Sequence, residues 1–162
     1  MILLGGDESP EEVIALAYGL ERNLQAFYAA AADALGQAPA AGLLRRLAEI
    51  EVRHQQRLYA LYRTLVAKAL GEEEFSARVG SELMEGGFAA DQFMARHKAA
   101  LASQASVLEL AMSIEAQGMD LYVRYAESVS DPKAREILLG LADEEKAHLA
   151  RLGELMTPGG GG

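Results

Sequence analysis

The strongest constraint on this chain is that it repeats itself at a distance of 94 residues. The stretch from 43 to 62, LLRRLAEIEVRHQQRLYALY, returns from 137 to 156 as ILLGLADEEKAHLARLGELM. The shift carries Glu51 onto Glu145 and His54 onto His148, so each copy holds a glutamate and a histidine three residues apart. It also carries Leu44 to Leu138, Leu47 to Leu141, Leu58 to Leu152 and Leu61 to Leu155. Further upstream it carries Glu21 to Glu115 and Tyr28 to Tyr122. Four glutamates, two histidines and two tyrosines therefore fall on one internal duplication of a helical hairpin, which reads as a di-metal site built between its two copies.

The rest of the chain is compatible with such a bundle. At 162 residues it suits a single domain, 1–162, with a full-sized core. Hydrophobic residues make up 51% but aromatics only 6%, with alanine and leucine dominant, which favours packed helices over a sheet. A net charge of −9 argues against an electrostatic grip on nucleic acid or on an anionic membrane. The absence of cysteine excludes disulfides, zinc–thiolate sites and iron–sulfur centres. The opening MILLGG is too short for a signal peptide and no uncharged apolar run approaches membrane-spanning length, so a cytoplasmic location is the expectation.

The local signals predict four core helices, at about 10–35, 40–70, 104–129 and 132–156. After a loose lead-in, Ser9-Pro10-Glu11-Glu12 combines an N-cap serine, a proline at the first helical position and a capping-box glutamate. Gly36 is a natural stop, and the short link to Pro39 makes the first two helices antiparallel neighbours. Asp131-Pro132 repeats the cap-then-proline start for the fourth helix. Residues 71–103, with glycines at 80, 86 and 87, are the least regular part and predict one or two short helices, one at 90–98. A connection of that length crosses the bundle end to end, with the third helix expected to start from the same end as the first. Residues 157–162 form a flexible tail, and their glycines are no phosphate loop, because no strand precedes them and no helix follows.

Glu51 and His54 interrupt an apolar stripe, Leu44, Leu47, Leu58, Leu61 and Leu65, and so break the rule that cores exclude unpaired charge. A single Glu-x-x-His pair is weak as a signal, since in a glutamate-rich chain most such pairs are solvated surface. Two pairs on apolar stripes, each preceded by a hairpin partner with one inward glutamate, match a recurrent bundle-core arrangement. In it, one Glu from each of two helices joins a Glu-x-x-His from each of the other two. Residues at i and i+3 project from one face, so each pair can reach one ion. Four carboxylates and two imidazoles offer hard oxygen tempered by borderline nitrogen, which suits iron, with manganese or a mixed pair as alternatives. Without metal the carboxylates would repel one another and lose hydration, so metal is expected to stabilise the fold.

The phrases LAEIEVRHQQRL and LADEEKAHLARL, within residues 10–156, resemble the ferritin-like superfamily of carboxylate-bridged di-iron proteins, and most of all its rubrerythrin-type branch. The resemblance implies an all-α fold, a left-handed four-helix bundle with a long crossover between the second and third helices. It implies that Glu51 and Glu145 bridge two iron ions, that Glu21 and Glu115 are terminal ligands, and that His54 and His148 each bind one ion. Tyr28 and Tyr122 would hydrogen-bond ligand carboxylates; amphipathic core packing is the alternative reading for both.

Two departures qualify what the resemblance implies. Rubrerythrins carry a second glutamate one turn after the third-helix ligand, where this chain has Gly118, which leaves a more symmetric six-ligand site. Their cysteine-ligated rubredoxin domain is absent from these residues, so an external electron donor is expected, whether a separate protein, a fused domain outside this sequence or a small reductant. By resemblance the chain is a di-iron peroxidase or ferroxidase, reducing peroxide or dioxygen. The alternatives are iron binding or storage, and a structural module whose metal only staples the bundle. A homodimer is the expected assembly. Outside the site, His97 reads as a surface residue, Glu144 as outward and solvated, and Met84, Met94, Met112, Met119 and Met156 as gap-filling core or interface residues.

Overall fold

The computed structural model describes residues 8–86 and 98–157. The lead-in through residue 7, the expected helix from 90, His97 and Met94, and the tail from 158 lie outside the described residues. The side chain of Met84 does so too. The described residues form five α-helices and no strand: α1 (Pro10–Leu35), α2 (Pro39–Leu65), α3 (Glu72–Gly86), α4 (Gln104–Ser128) and α5 (Pro132–Met156), with a 3-10 turn at Lys98–Ala102 ahead of α4.

Local chemistry sets most helix ends. Ser9 and Glu12 form the capping box, the serine hydroxyl accepting from the Glu12 backbone N–H and the glutamate accepting from that of Ser9. At the far end of α1 the chain turns through Gly36 at φ 58°, a left-handed angle that glycine adopts without a Cβ clash. Ser103 and Asp131 cap α4 and α5 through their side chains. The second helix stops at Leu65, short of the expected residue 70. The cause is tertiary: the Tyr62 hydroxyl accepts from the Leu70 backbone N–H at 3.0 Å, and the Tyr59 hydroxyl donates to the Leu70 carbonyl at 3.1 Å. These bonds fold residues 66–70 back over the end of α2 instead of letting the helix run on.

The bundle is two hairpins, α1 with α2 and α4 with α5, packed face to face. Its apolar core is divided into two parts. One gathers Ile14, Tyr18, Leu58, Leu61, Leu121, Leu138 and Leu141, and the other Leu24, Phe27, Leu44, Leu47, Val107, Leu108 and Leu152. In α1, α2, α4 and α5 the site residues fall between the two parts, so the polar layer sits at mid-bundle with apolar packing above and below. Burial at roughly 25 cal/mol per Å² makes these layers the main source of stability.

Helix direction corrects one expectation. The start of α4 lies beside the start of α2, where the Ala40 N–H donates to the Gln104 side chain at 3.4 Å. It packs in the same apolar part as the end of α1, so α4 runs parallel to α2 and antiparallel to α1. The crossover does traverse the bundle, but α2 already ends where α1 begins. Traversal therefore delivers α4 to the opposite end from the start of α1. Within the crossover, α3 lies against α1 and α2: Phe75 stacks on Tyr62 at 4.3 Å and meets Tyr18 edge-on at 5.2 Å, and Arg22 donates to the Ser76 carbonyl at 3.1 Å.

Candidate metal centre

All six ionisable residues singled out by the duplication are buried: Glu21 from α1, Glu51 and His54 from α2, Glu115 from α4, and Glu145 and His148 from α5. Six ionisable groups in a dry layer are far outside what a core tolerates unless something satisfies them. Their arrangement shows what would. The His54 Nδ1 lies 3.0 Å from Glu51 Oε2, 2.9 Å from Glu145 Oε1 and 3.5 Å from Glu21 Oε2. The His148 Nδ1 lies 3.2 Å from Glu115 Oε1, 3.4 Å from Glu145 Oε2 and 3.5 Å from Glu51 Oε1. Glu51 and Glu145 thus each send one oxygen to either histidine. Between them the imidazoles stack with centroids 5.7 Å apart and planes 14° from parallel.

The contacts are close yet not aligned as hydrogen bonds. Among the described residues, nine buried side-chain polar atoms lack a hydrogen-bond partner, and all but Tyr125 Oη belong to these six residues. Both Nδ1 atoms and both oxygens of Glu51 and of Glu145 are among them. Lone pairs aimed at shared points rather than at donors are what a cation site requires. Two groups of four residues bring enough ligand atoms together that each could hold a metal ion: Glu21, Glu51, His54 and Glu145, and Glu51, Glu115, Glu145 and His148, with ligand atoms in each group within 4.8 Å of one another. Hard carboxylate oxygens with one imidazole nitrogen per group fit iron or manganese on chemistry alone.

Without a cation the cluster must hold protons instead. Burial, helped by the facing carboxylates of Glu21 and Glu145 and opposed by His54, pushes the Glu51 carboxyl up to about 10. For His54, burial is the largest influence and favours the neutral ring. Glu145, Glu21 and Glu51 together overturn it and hold the imidazole well above its ordinary range. Glu21 is likewise opposed by burial but ends below the usual carboxylate range because His54, Glu51 and Tyr122 stabilise its anion.

Tyrosines brace the outer carboxylates reciprocally. Tyr28 on α1 donates to Glu115 Oε1 on α4, and Tyr122 on α4 donates to Glu21 Oε1 on α1. Both are buried, so they are core as well as hydrogen-bond donors. Burial first, then the neighbouring carboxylates, raise both phenols well above their ordinary value and keep them as donors.

Glu144 departs from its expected solvated role. Its side chain is 45% exposed, but Oε2 lies 2.8 Å from His54 Nε2 and Oε1 accepts from Arg57. Burial opposes its ionisation, yet His54 and Arg57 hold the carboxyl below the usual range. No spacing rule marks this residue; the only hint is that it neighbours a site glutamate. Gly118 faces open space, a Cβ there meeting nothing within 4 Å. Among the methionines, Met112 and Met119 pack against the core while Met156 is 40% exposed. No helix among the described residues is long and apolar enough to cross a membrane.

No curated protein and no solved structure matches the chain. The family model described as "Ferritin-like domain" does match, over residues 9–158, which takes in all four core helices and every residue of the centre. The buried layer of glutamate and histidine thus lies in a chain that belongs to the ferritin-like domain family.

Proposed function

We propose that this chain is a di-iron oxidoreductase of rubrerythrin-like type that reduces peroxide or dioxygen. The observation that carries the proposal is the double reach of Glu51 and Glu145, each with one oxygen toward His54 and the other toward His148. A carboxylate with one oxygen in each of two adjacent four-residue groups is placed to bridge two ions. Glu21 with His54 would complete one group, and Glu115 with His148 the other. Held there by these residues, a pair of ferrous ions would supply two electrons to an oxygen species and polarise it.

The protein's own residues set the conditions for that chemistry. Leucine and aromatic layers on both sides exclude bulk water, which strengthens every charge interaction within. Tyr28 and Tyr122 fix the rotamers of Glu115 and Glu21. The carboxylate of Glu144 accepts from His54 Nε2, which leaves Nδ1 free to act as the ligand atom. These 162 residues hold no cysteine and so no thiolate centre to relay electrons, and a donor outside them is part of the proposal.

The test is anaerobic titration with ferrous iron, followed by peroxide or air. Two ferrous ions bound per chain, and oxidised-iron absorption developing faster with peroxide than with air, is the expected result. One ion per chain, or no spectral change with either oxidant, would remove the proposal.

A further inference from the structure

The two halves of the duplicated hairpin are not equally complete. In one, Glu144 spans two partners, His54 Nε2 at 2.8 Å and the Arg57 guanidinium. The 94-residue repeat carries His54 onto His148 and Arg57 onto Arg151, but the residue that corresponds to Glu144 is Ile50. The second half therefore has the histidine and the arginine and lacks the carboxylate between them. At that place the surface opens into a cleft of about 430 Å³ between α2 and α5, lined by Ile50, Arg53, Arg57, Glu144, His148 and Arg151.

The cleft has what an anion needs. Arg57 is neutralised by Glu144, whereas Arg53 and Arg151 have no ion-pair partner among the described residues. His148 turns Nδ1 to the buried carboxylates. Its Nε2 makes no hydrogen bond among the described residues and, unlike Nδ1, is not one of the fully buried unpartnered atoms. The His148 side chain keeps 6% exposure where that of His54 has none. Two unpaired guanidiniums on a chain of net charge −9 make a local positive field that draws small anions and repels metal cations.

We propose that this cleft binds a small dicarboxylate. One carboxylate takes the place beside Arg151 and His148 that Glu144 holds beside Arg57 and His54, and the other pairs with Arg53. The guanidinium fork takes a carboxylate in two parallel hydrogen bonds, which a spherical anion cannot supply, and the second carboxylate lets one molecule engage Arg53 as well as Arg151, which a single-centre anion such as phosphate does not. Bound there, the anion accepts from His148 Nε2 and makes the two imidazoles equivalent in their outer partners. The site is complete without metal, so this proposal and the di-iron reading stand or fall separately.

The test uses the full chain, metal-free, with succinate as the probe and ionic strength held constant with sodium chloride. Calorimetry is expected to show one saturable site, weakened at least about tenfold in Arg151→Gln, an exposed position where folding is not at stake. In ¹⁵N-histidine spectra, succinate should move His148 and leave His54 in place. Ile50→Glu, which supplies the missing carboxylate from the chain itself, should abolish succinate binding and reproduce the shifted His148 signal without ligand. Absence of saturable binding, affinity unchanged in Arg151→Gln, or a stationary His148 signal would overturn the proposal. So would inorganic phosphate competing as well as succinate, or a glutamate-rich peptide binding where succinate does not.

Discussion

His54 and Glu144 are joined across the α2–α5 contact, Nε2 to Oε2 at 2.8 Å, with Arg57 holding the other carboxylate oxygen. The carboxylate fixes the ring so that Nδ1, not Nε2, faces Glu21, Glu51 and Glu145. Glu144→Gln keeps the shape but can present its NH₂ to the ring, and it loses the charge that favours the Nε2–H tautomer. It is expected to weaken metal binding by about 10- to 100-fold, the usual effect of losing such a partner. Because Glu144 is 45% exposed, metal-free melting should hardly move. Equilibrium metal titration beside calorimetry checks both halves of the statement, and equal affinities would show that the ring is oriented by packing alone.

The reciprocal pairs Tyr28–Glu115 and Tyr122–Glu21 predict matched effects from two distant substitutions. Tyr28→Phe and Tyr122→Phe each remove a buried hydrogen bond to a carboxylate, a loss of about 1.5–3 kcal/mol. The two should agree within about 1 kcal/mol, since each donor comes from the helix opposite its acceptor in the same antiparallel register. Urea denaturation of the two variants and their double measures this. A large effect in one and none in the other would mean that the duplication is not an energetic symmetry.

The six site residues were legible because they break one periodic pattern and obey another. Glu51 and His54 sit where the α2 stripe should be leucine, and Glu145 and His148 sit at the same places one repeat later. Helix starts were legible for a local reason, as with Ser9 and Asp131, whose side chains cap within three residues. What escaped depends on contacts that spacing does not show. No breaker stands between Leu65 and Gly71, so the sequence predicts a helix to about 70, but the hydroxyls of Tyr59 and Tyr62 hold Leu70 folded back outside it. The length of residues 71–103 tells how far the chain can reach and not which end it leaves from, so the direction of α4 had to come from Ala40 meeting Gln104. Glu144 lies about 100° around α5 from Glu145, and only the approach of α2 turns that flank into a contact.

Gly118 sits in the interior of α4 with ordinary helical backbone, and a Cβ there meets nothing within 4 Å. Gly118→Ala is expected to stabilise the protein by about 0.5–1 kcal/mol, by restricting the unfolded chain and restoring helix propensity. At this chain length that corresponds to about 2 °C in Tm. Metal affinity should not change, because the methyl group offers no ligand. A fall in Tm would show that the position is needed for close approach after all.

Metal-free stability and the stabilisation added by metal should respond to pH in opposite directions. Glu51, ordinarily near 4.5, is raised to about 10 when folded, and His54 is raised above its ordinary 6.5. Between those ordinary values and the folded ones, the native state holds protons that the unfolded chain has released. Their stabilisation is therefore complete at low pH and is lost as pH rises. Glu21 is lowered, so its contribution is present above 4.5 and lost as pH falls below it. The metal-free Tm should accordingly peak at about pH 4.5, decline above it as Glu51 loses its advantage, and fall more steeply above about 6.5 where His54 adds to the loss. A cation must displace the protons on Glu51 and His54 before it can bind, so affinity grows as those protons become easier to remove. The rise in Tm on adding manganous ion should then be small at about pH 5.5 and largest near pH 8.5, where the metal-free protein is weakest. Calorimetry across that range with chelator or manganese decides the matter: parallel curves would mean that the cation does not replace these protons, and that Glu51 and His54 are not its ligands.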